Sequence, residues 1–217
     1  MSIRKTNFVP NEYYHIYNRG NSKQKIFNDK EDYERFVKSL FLSNGDNNFK
    51  VHFIKSDVIY DFDRGQQFVG IGAYCLMPNH FHILITQTEK GSISKFVQKL
   101  TTAYSMYYNK KYERTGSLFE GKFKSRHISN DRYLKYLFSY IHLNPVKLIE
   151  PRWKELGIKN EAKAIDFLKN YKYSSFKDYL NENRREVIIL NREFFPDYFP
   201  TSKDMVKEIL EWVNYEN

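Results

Sequence analysis

Tyr13 to Arg19 alternates β-forming and polar side chains and closes on Gly20-Asn21-Ser22, the pattern of a half-buried strand and turn. Asn28 or Asp29 can then cap a helix running to about Leu40, with Tyr33, Phe36, Val37 and Leu40 on one face. Gly45-Asp46-Asn47-Asn48 ends it, and the stretch that follows to residue 67 reads as a short strand over Val51 to Ile54 and then a polar segment. Phe68 to Leu76 and Phe81 to Thr86 read as two strands. Pro78-Asn79 between them breaks the ladder and makes a tight antiparallel pair.

Ser92 to about Asn109 carries Phe96, Leu100, Ala103 and Tyr107 as one apolar stripe, which predicts a long amphipathic helix. Leu118 to Ile128 reads as extended. Ser129-Asn130-Asp131 then caps a helix that continues to about Leu143 and stops at Asn144-Pro145. The order strand, helix, strand, strand, helix, strand predicts an α+β fold, a ferredoxin-like antiparallel sheet with helices packed on one face. Beyond about Lys147 the pattern shifts to short mixed helices and a last helix from Ser202 to Trp212. This divides the chain into a domain over residues 1–147 and a helical C-terminal extension over 148–217 packed on it.

Charge sharpens that division. The chain has 217 residues and a net charge of +9, and the whole excess lies before residue 151. Lys95 to Arg126 alone holds eight basic side chains against Glu113 and Glu120, the electrostatic footprint of a polyanion-binding surface. The single cysteine, Cys75, excludes an internal disulfide and cysteine-cluster zinc sites. No apolar run approaches the roughly 20 residues that span a bilayer, so the expected setting is soluble and cytoplasmic, with no membrane partner.

Candidate chemistry begins at His80-Phe81-His82. In a strand the two imidazoles share one face while Phe81, Ile83 and Ile85 take the other, so the pair can hold one divalent cation. His15, His127 or the isolated acid Glu120 can approach to complete such a site. A tyrosine can attack a phosphodiester that a metal polarises. On the helix after Asn130, Tyr133 falls in the first turn, where free amides favour phosphate, and Tyr136 and Tyr140 share its broad face. An ordinary packing role is equally open to all three by position.

The segment Tyr74-Cys75-Leu76-Met77-Pro78-Asn79-His80-Phe81-His82-Ile83-Leu84-Ile85 resembles the HUH signature of the IS200-like single-tyrosine transposases, and in particular their REP-associated subgroup. Tyr14-His15-Ile16-Tyr17-Asn18-Arg19-Gly20, Arg114-Thr115-Gly116-Ser117-Leu118-Phe119-Glu120-Gly121 and Tyr140-Ile141-His142-Leu143-Asn144-Pro145-Val146 agree in order and spacing.

The resemblance implies that His80 and His82 present Mg²⁺ or Mn²⁺ and that Tyr133 is the nucleophile, the further ligand being left to His15, Glu120 or water. It implies attack on single-stranded or hairpin DNA, a covalent 5′-phosphotyrosine, possible work as a homodimer, and residence at the nucleoid while on DNA. Lys110, Lys111, Arg114, Lys122, Lys124 and Arg126 would then hold the DNA backbone. One departure stands out. The family's polar ligand one turn after the nucleophile would here be Leu137, which cannot coordinate. A DNA-binding module without turnover and a metal-dependent nuclease without a covalent step are the alternatives.

Overall fold

The computed structural model describes residues 7–180 and 183–215, less the side chains of His52 and of residues 213–215. Its centre is a four-stranded antiparallel sheet of β1 (Tyr13–Arg19), β2 (Val69–Met77), β3 (His80–Gln87) and β4 (Lys124–Ile128), in the order β2-β3-β1-β4. With α1 (Lys30–Leu42) after β1 and α2 (Ser92–Lys111) after β3, this is the ferredoxin-like arrangement that the element order predicted. Asp29 caps α1 through its carboxylate, which accepts from the Asp32 amide at 3.0 Å.

Alternation along the strands separates two faces. Phe81, Ile83 and Ile16 point to α1 and α2 and are fully buried; Phe36 of α1 meets Phe81 with ring centroids 5.1 Å apart. The opposite face is covered by α3 (Asp131–Leu143), which packs on β2 and β3. Helices therefore lie on both faces, α1 and α2 on the expected one and α3 on the other. Asn130 starts α3 by accepting from the Tyr133 amide at 2.8 Å, and a 3₁₀ turn over Asn144–Leu148, with Pro145 in its first turn, takes the chain out of it.

Two expected extended segments differ. Val51–Phe53 is a single 3₁₀ turn and is not a strand of the sheet. The free edge of β2 that a further strand would need is already taken by Tyr173 to Ser175, through a Leu76 to Tyr173 backbone bond, a Cys75–Ser174 bridge and a Tyr74 to Ser175 bond, and by Asn191 bonding to Ile71. From Leu118 to Ile128 only Lys124–Ile128 is strand, because Gly121 takes a positive φ of 63° and turns the chain before it.

After residue 148 come the short helices α4 (Trp153–Leu156), α5 (Glu161–Asn170) and α6 (Phe176–Tyr179), then α7 (Ser202–Tyr215). They lie over β2 and α3. At Gly72, where β2 bulges, Phe195 sits where a Cβ would stand and Tyr179 donates to the carbonyl at 2.7 Å. Glu208 of α7 pairs with Lys135 of α3 at 2.6 Å. Among the described residues no helix is long and apolar enough to cross a membrane.

Candidate active site

The turn between β2 and β3 is held rigidly. The carbonyl of Pro78 accepts from Ile26 and Phe27 and that of Asn79 accepts from Gly20, so the loop after β1 fixes where β3 begins. Asn79 Oδ1 then accepts from His80 Nδ1 at 2.7 Å. An amide oxygen can only accept, so the imidazole proton lies on Nδ1 and Nε2 keeps its lone pair.

His82 lies on the same face one pleat along, its ring 5.0 Å from that of His80. Its Nδ1 is 2.8 Å from Nε2 of His15, which reaches it diagonally from β1. In the tautomer where His82 donates, its Nε2 is bare like that of His80. His15 thereby becomes an orienting partner, as the outer shell of a metal-binding histidine requires, and its Nε2 is not available as a ligand.

Burial keeps all three imidazoles uncharged. His15 is pushed down to about 3 by desolvation, helped by Arg126 and Lys154. His80 falls to about 4 by desolvation and the charges of Lys147, Lys154 and Arg19. His82 is lowered furthest, again first by desolvation and then by the neighbouring histidines and Lys154. Neutral imidazoles bind a cation without first losing a proton, and the surrounding cations suit an anionic substrate. A free Nε2 on His80, and on His82 in the tautomer where it donates to His15, is donor chemistry that suits a divalent cation. Among the described residues no third histidine, cysteine or carboxylate joins them in a metal-binding cluster.

Glu120 does not supply one. Both its oxygens are held by the Arg19 guanidinium, Nη2 donating to Oε1 at 2.9 Å and Nε to Oε2, and this pairing lowers the Glu120 pKa. It is a salt bridge at the end of the sheet. His127, also considered, pairs with Glu12 at 2.8 Å.

Among the described residues Tyr133 makes no ring contact with the imidazoles, although it lies within electrostatic reach of Tyr140 and Tyr17, which border them. Its half-buried ring lies under the Arg126 guanidinium at 4.7 Å and stacks on Tyr136 at 5.8 Å, and burial raises its pKa with Arg126 partly offsetting the rise. Tyr136 continues the ladder to Tyr140 at 5.8 Å and is flanked by Trp212 of α7 at 5.0 Å. Tyr140 is the rung that reaches the site. Its ring meets His82 edge-on at 5.8 Å and His15 at 6.0 Å, and its hydroxyl accepts from Lys154 Nζ at 3.0 Å. Two turns of helix separate Tyr133 from it, about 10 Å along the axis. Tyr17 of β1 is the other tyrosine at the imidazoles, 5.0 Å from His15 and 6.0 Å from His82.

A cleft of about 700 Å³ opens beside His80. Its cationic lining is Arg19, Lys23, Lys25, Lys124 and Lys147, and no acid faces it. Of the basic residues singled out by sequence, Lys124 lines this cleft and Arg126 lies opposite His15 on β4. Lys122 lines a neighbouring groove with Asn18. Lys110, Lys111 and Arg114 lie at the far end of α2, across the sheet. Lys111 pairs with Asp29, Glu31 and Asp32 at 2.8, 2.9 and 3.0 Å, which ties α2 to the start of α1. Arg114 lies 5.6 Å from the Tyr108 ring. Arg19, Lys23, Lys25, Lys147 and Lys154 were not picked out by sequence, because they are scattered along the chain and only the fold gathers them.

The family model described as "Transposase IS200 like" matches residues 8–144, which contain the sheet, α1 to α3 and every histidine and tyrosine of the site. No curated protein matches in sequence. Among solved structures, a REP-associated tyrosine transposase bound to a REP hairpin is similar over 90% of this chain and 89% of its own, with a TM-score of 0.54 and 14% identity. A second, tRNA(His) guanylyltransferase from Saccharomyces cerevisiae, aligns over 91% and 86% with a TM-score of only 0.37 and 14% identity. The sheet, the HUH pair and the match over most of the chain converge: this protein belongs to the IS200-like transposase family.

Proposed function

We propose that the protein is a metal-dependent single-stranded DNA nicking and joining enzyme whose nucleophile is Tyr140. The observation that carries the reading is the placement of the Tyr140 ring against His82 and His15 with Lys154 on its hydroxyl. The Lys154 ammonium stabilises the phenolate as the phenol loses its proton to water. The Tyr140 oxygen then bonds to phosphorus and the bond from phosphorus to the 3′ oxygen breaks. The DNA 5′ end stays on the enzyme, and the released 3′ oxygen takes up a proton.

Reversal by that hydroxyl, or by one from another strand, rejoins DNA without nucleotide hydrolysis. A divalent cation on His80 and His82 would polarise the phosphate. Two imidazole donors match Mn²⁺ better than Mg²⁺, which favours oxygen ligands throughout.

Moving the nucleophile removes the difficulty at Leu137. One turn after Tyr140 stands Asn144, whose Nδ2 donates to the Tyr140 carbonyl at 2.7 Å and whose Oδ1 remains as an acceptor. Its 3₁₀ turn also carries Lys147 and Leu148 to the His80 cleft, which supports Asn144 as the further ligand. The REP hairpin on the structural neighbour supports a hairpin-bearing substrate. Both imidazoles and Tyr140 belong to one chain, so a single copy holds the set and the reading does not need the homodimer.

The test is a labelled hairpin with single-stranded flanks and Mn²⁺, followed by denaturing electrophoresis. The reading expects an adduct that EDTA abolishes, that Tyr140→Phe removes and that Tyr133→Phe and Tyr17→Phe retain. Cleavage with no adduct would favour the hydrolase. Binding without cleavage would favour the inactive module.

A further inference from the structure

The active-site cleft does not end at the sheet. Asn18, which lines it, also lines a second groove between α2 and the loop over residues 117–123. That groove is walled by hydroxyls and amides of α2, and its Gln98, Thr102 and Met106 line a third concavity on the far side of the same helix. The third is a groove of about 800 Å³ whose other wall is the segment from Asp46 to Phe68. Three concavities thus share walls in series, from His80 round the end of the sheet and across α2.

The charge along this course is one-sided. Besides the cations of the first cleft, of which Arg19 is paired with Glu120, it passes Lys122, then Arg35, Lys50, Lys95, Lys99 and Lys110, and Asp46 is the one acid among the described lining residues. Lys99 has a structural task, donating to the carbonyls of Gly45 and Asn47 at 2.6 Å and so pinning the segment to α2. Lys50, Lys95 and Lys110 are exposed and make no ion pair with the described residues, Lys50 lying 5.7 Å from the Phe53 ring. Arg35 spans the Tyr107 ring at 4.8 Å with its buried Nε left without an acceptor. Partly buried Phe49 and Phe68 add aromatic faces to the same groove. Cations that follow a path, with aromatic surface between them, are what a flexible single strand uses: phosphates meet the charge and bases meet the rings.

We infer that the segment over residues 46–68 and the outer face of α2 form a second DNA-binding groove, which holds the single-stranded flank leaving the active-site cleft. This rests on the DNA reading above, but binding tests it separately from chemistry. It gives the segment a function that the fold does not require, since residues 49–67 add no strand to the sheet. It also predicts that flank length, and not the hairpin alone, sets affinity.

The experiment measures affinity for a hairpin bearing a flank of about ten nucleotides, a usual single-strand site size, and for the same hairpin without it, across a salt series. Lys50→Ala combined with Lys95→Ala is compared with Lys163→Ala combined with Lys169→Ala, which removes equal charge from α5. The inference expects the first pair to weaken flanked DNA about tenfold and to lower its salt slope by about 1.4, the value for two phosphates of a single strand. Binding of the flankless hairpin stays as in the parent protein, and so does adduct formation on flanked DNA at saturating protein. The α5 pair leaves all of these unchanged. Equal losses from both pairs, or no loss from the first, would overturn the groove. Failure of the Tyr140 assay with this pattern intact would overturn only the chemistry.

Discussion

The two faces of the sheet are made by the same strands and behave as two different materials. On one, Ile16, Phe81 and Ile83 are wholly buried against α1 and α2, and the polar residues that share it, Asn18 and His127, come from the end of β1 and from β4. On the other, one residue out of step, His15, His80 and His82 meet α3 with Tyr17 and Tyr140 around them. The apolar face can be packed to native density because it has no task but cohesion. The histidine face carries polar pairs instead, Asn79 to His80, which sets the tautomer that leaves His80 Nε2 free, and His15 to His82, which orients both rings. A two-residue period thus separates stability from function without separating them in sequence.

The strongest break of that comparison is on the cohesive side. Phe81→Ala should cost about 3–5 kcal/mol in urea unfolding, since it empties a fully buried site between Phe36 and Phe119. A loss below about 1 kcal/mol would mean that this face is not tightly packed.

On the reactive side, Lys154→Ala removes the ammonium from the Tyr140 hydroxyl. Adduct formation should slow by about ten- to a hundredfold, the range expected for a charge acting on a developing anion. Urea stability should hardly change, because Lys154 is exposed. Lys154→Arg should recover part of the rate. An unchanged rate in Lys154→Ala would remove the ammonium from the account.

The smallest effect sharpens the boundary between basic residues that serve the fold and those that serve the substrate. Lys111→Ala should cost about 1–2 kcal/mol of stability, because buried Asp32 loses a partner. Affinity for hairpin DNA should stay the same. A fall in affinity with a reduced salt slope would return Lys111 to the DNA surface.

Legibility in the sequence followed the same divide. Elements with a regular apolar period, such as the α2 stripe and the strands either side of Pro78, stand in the structure within a residue or two of their expected bounds. So does the face shared by His80 and His82, since alternation needs no partner to be read. What was not legible depended on distance in the chain. The resemblance implies Tyr133 as nucleophile, whereas the proposal of Tyr140 rests on ring contacts with His15 and His82 that spacing alone does not reveal. The signal that was available is the position of Tyr140 two turns along the same face, just before Asn144-Pro145 stops the helix. Glu120 looked conspicuous as an acid in a basic run, and the reason it is there is Arg19, distant in sequence and adjacent through the backbone bond from Glu120 to Arg19. Residues 51–54 had the composition of a strand but no free edge to join.

The central claim is that Tyr140 bonds to the DNA. Its direct test is mass spectrometry of the trypsin-digested adduct formed on hairpin DNA with Mn²⁺. Cleavage after Arg132, Lys135 and Lys147 puts Tyr133 and Tyr140 on different peptides, and fragmentation separates Tyr136 from Tyr140. The account predicts the nucleotide mass on the peptide from Tyr136 to Lys147, at Tyr140. The same mass on Tyr133, Tyr136 or Tyr17 would contradict it.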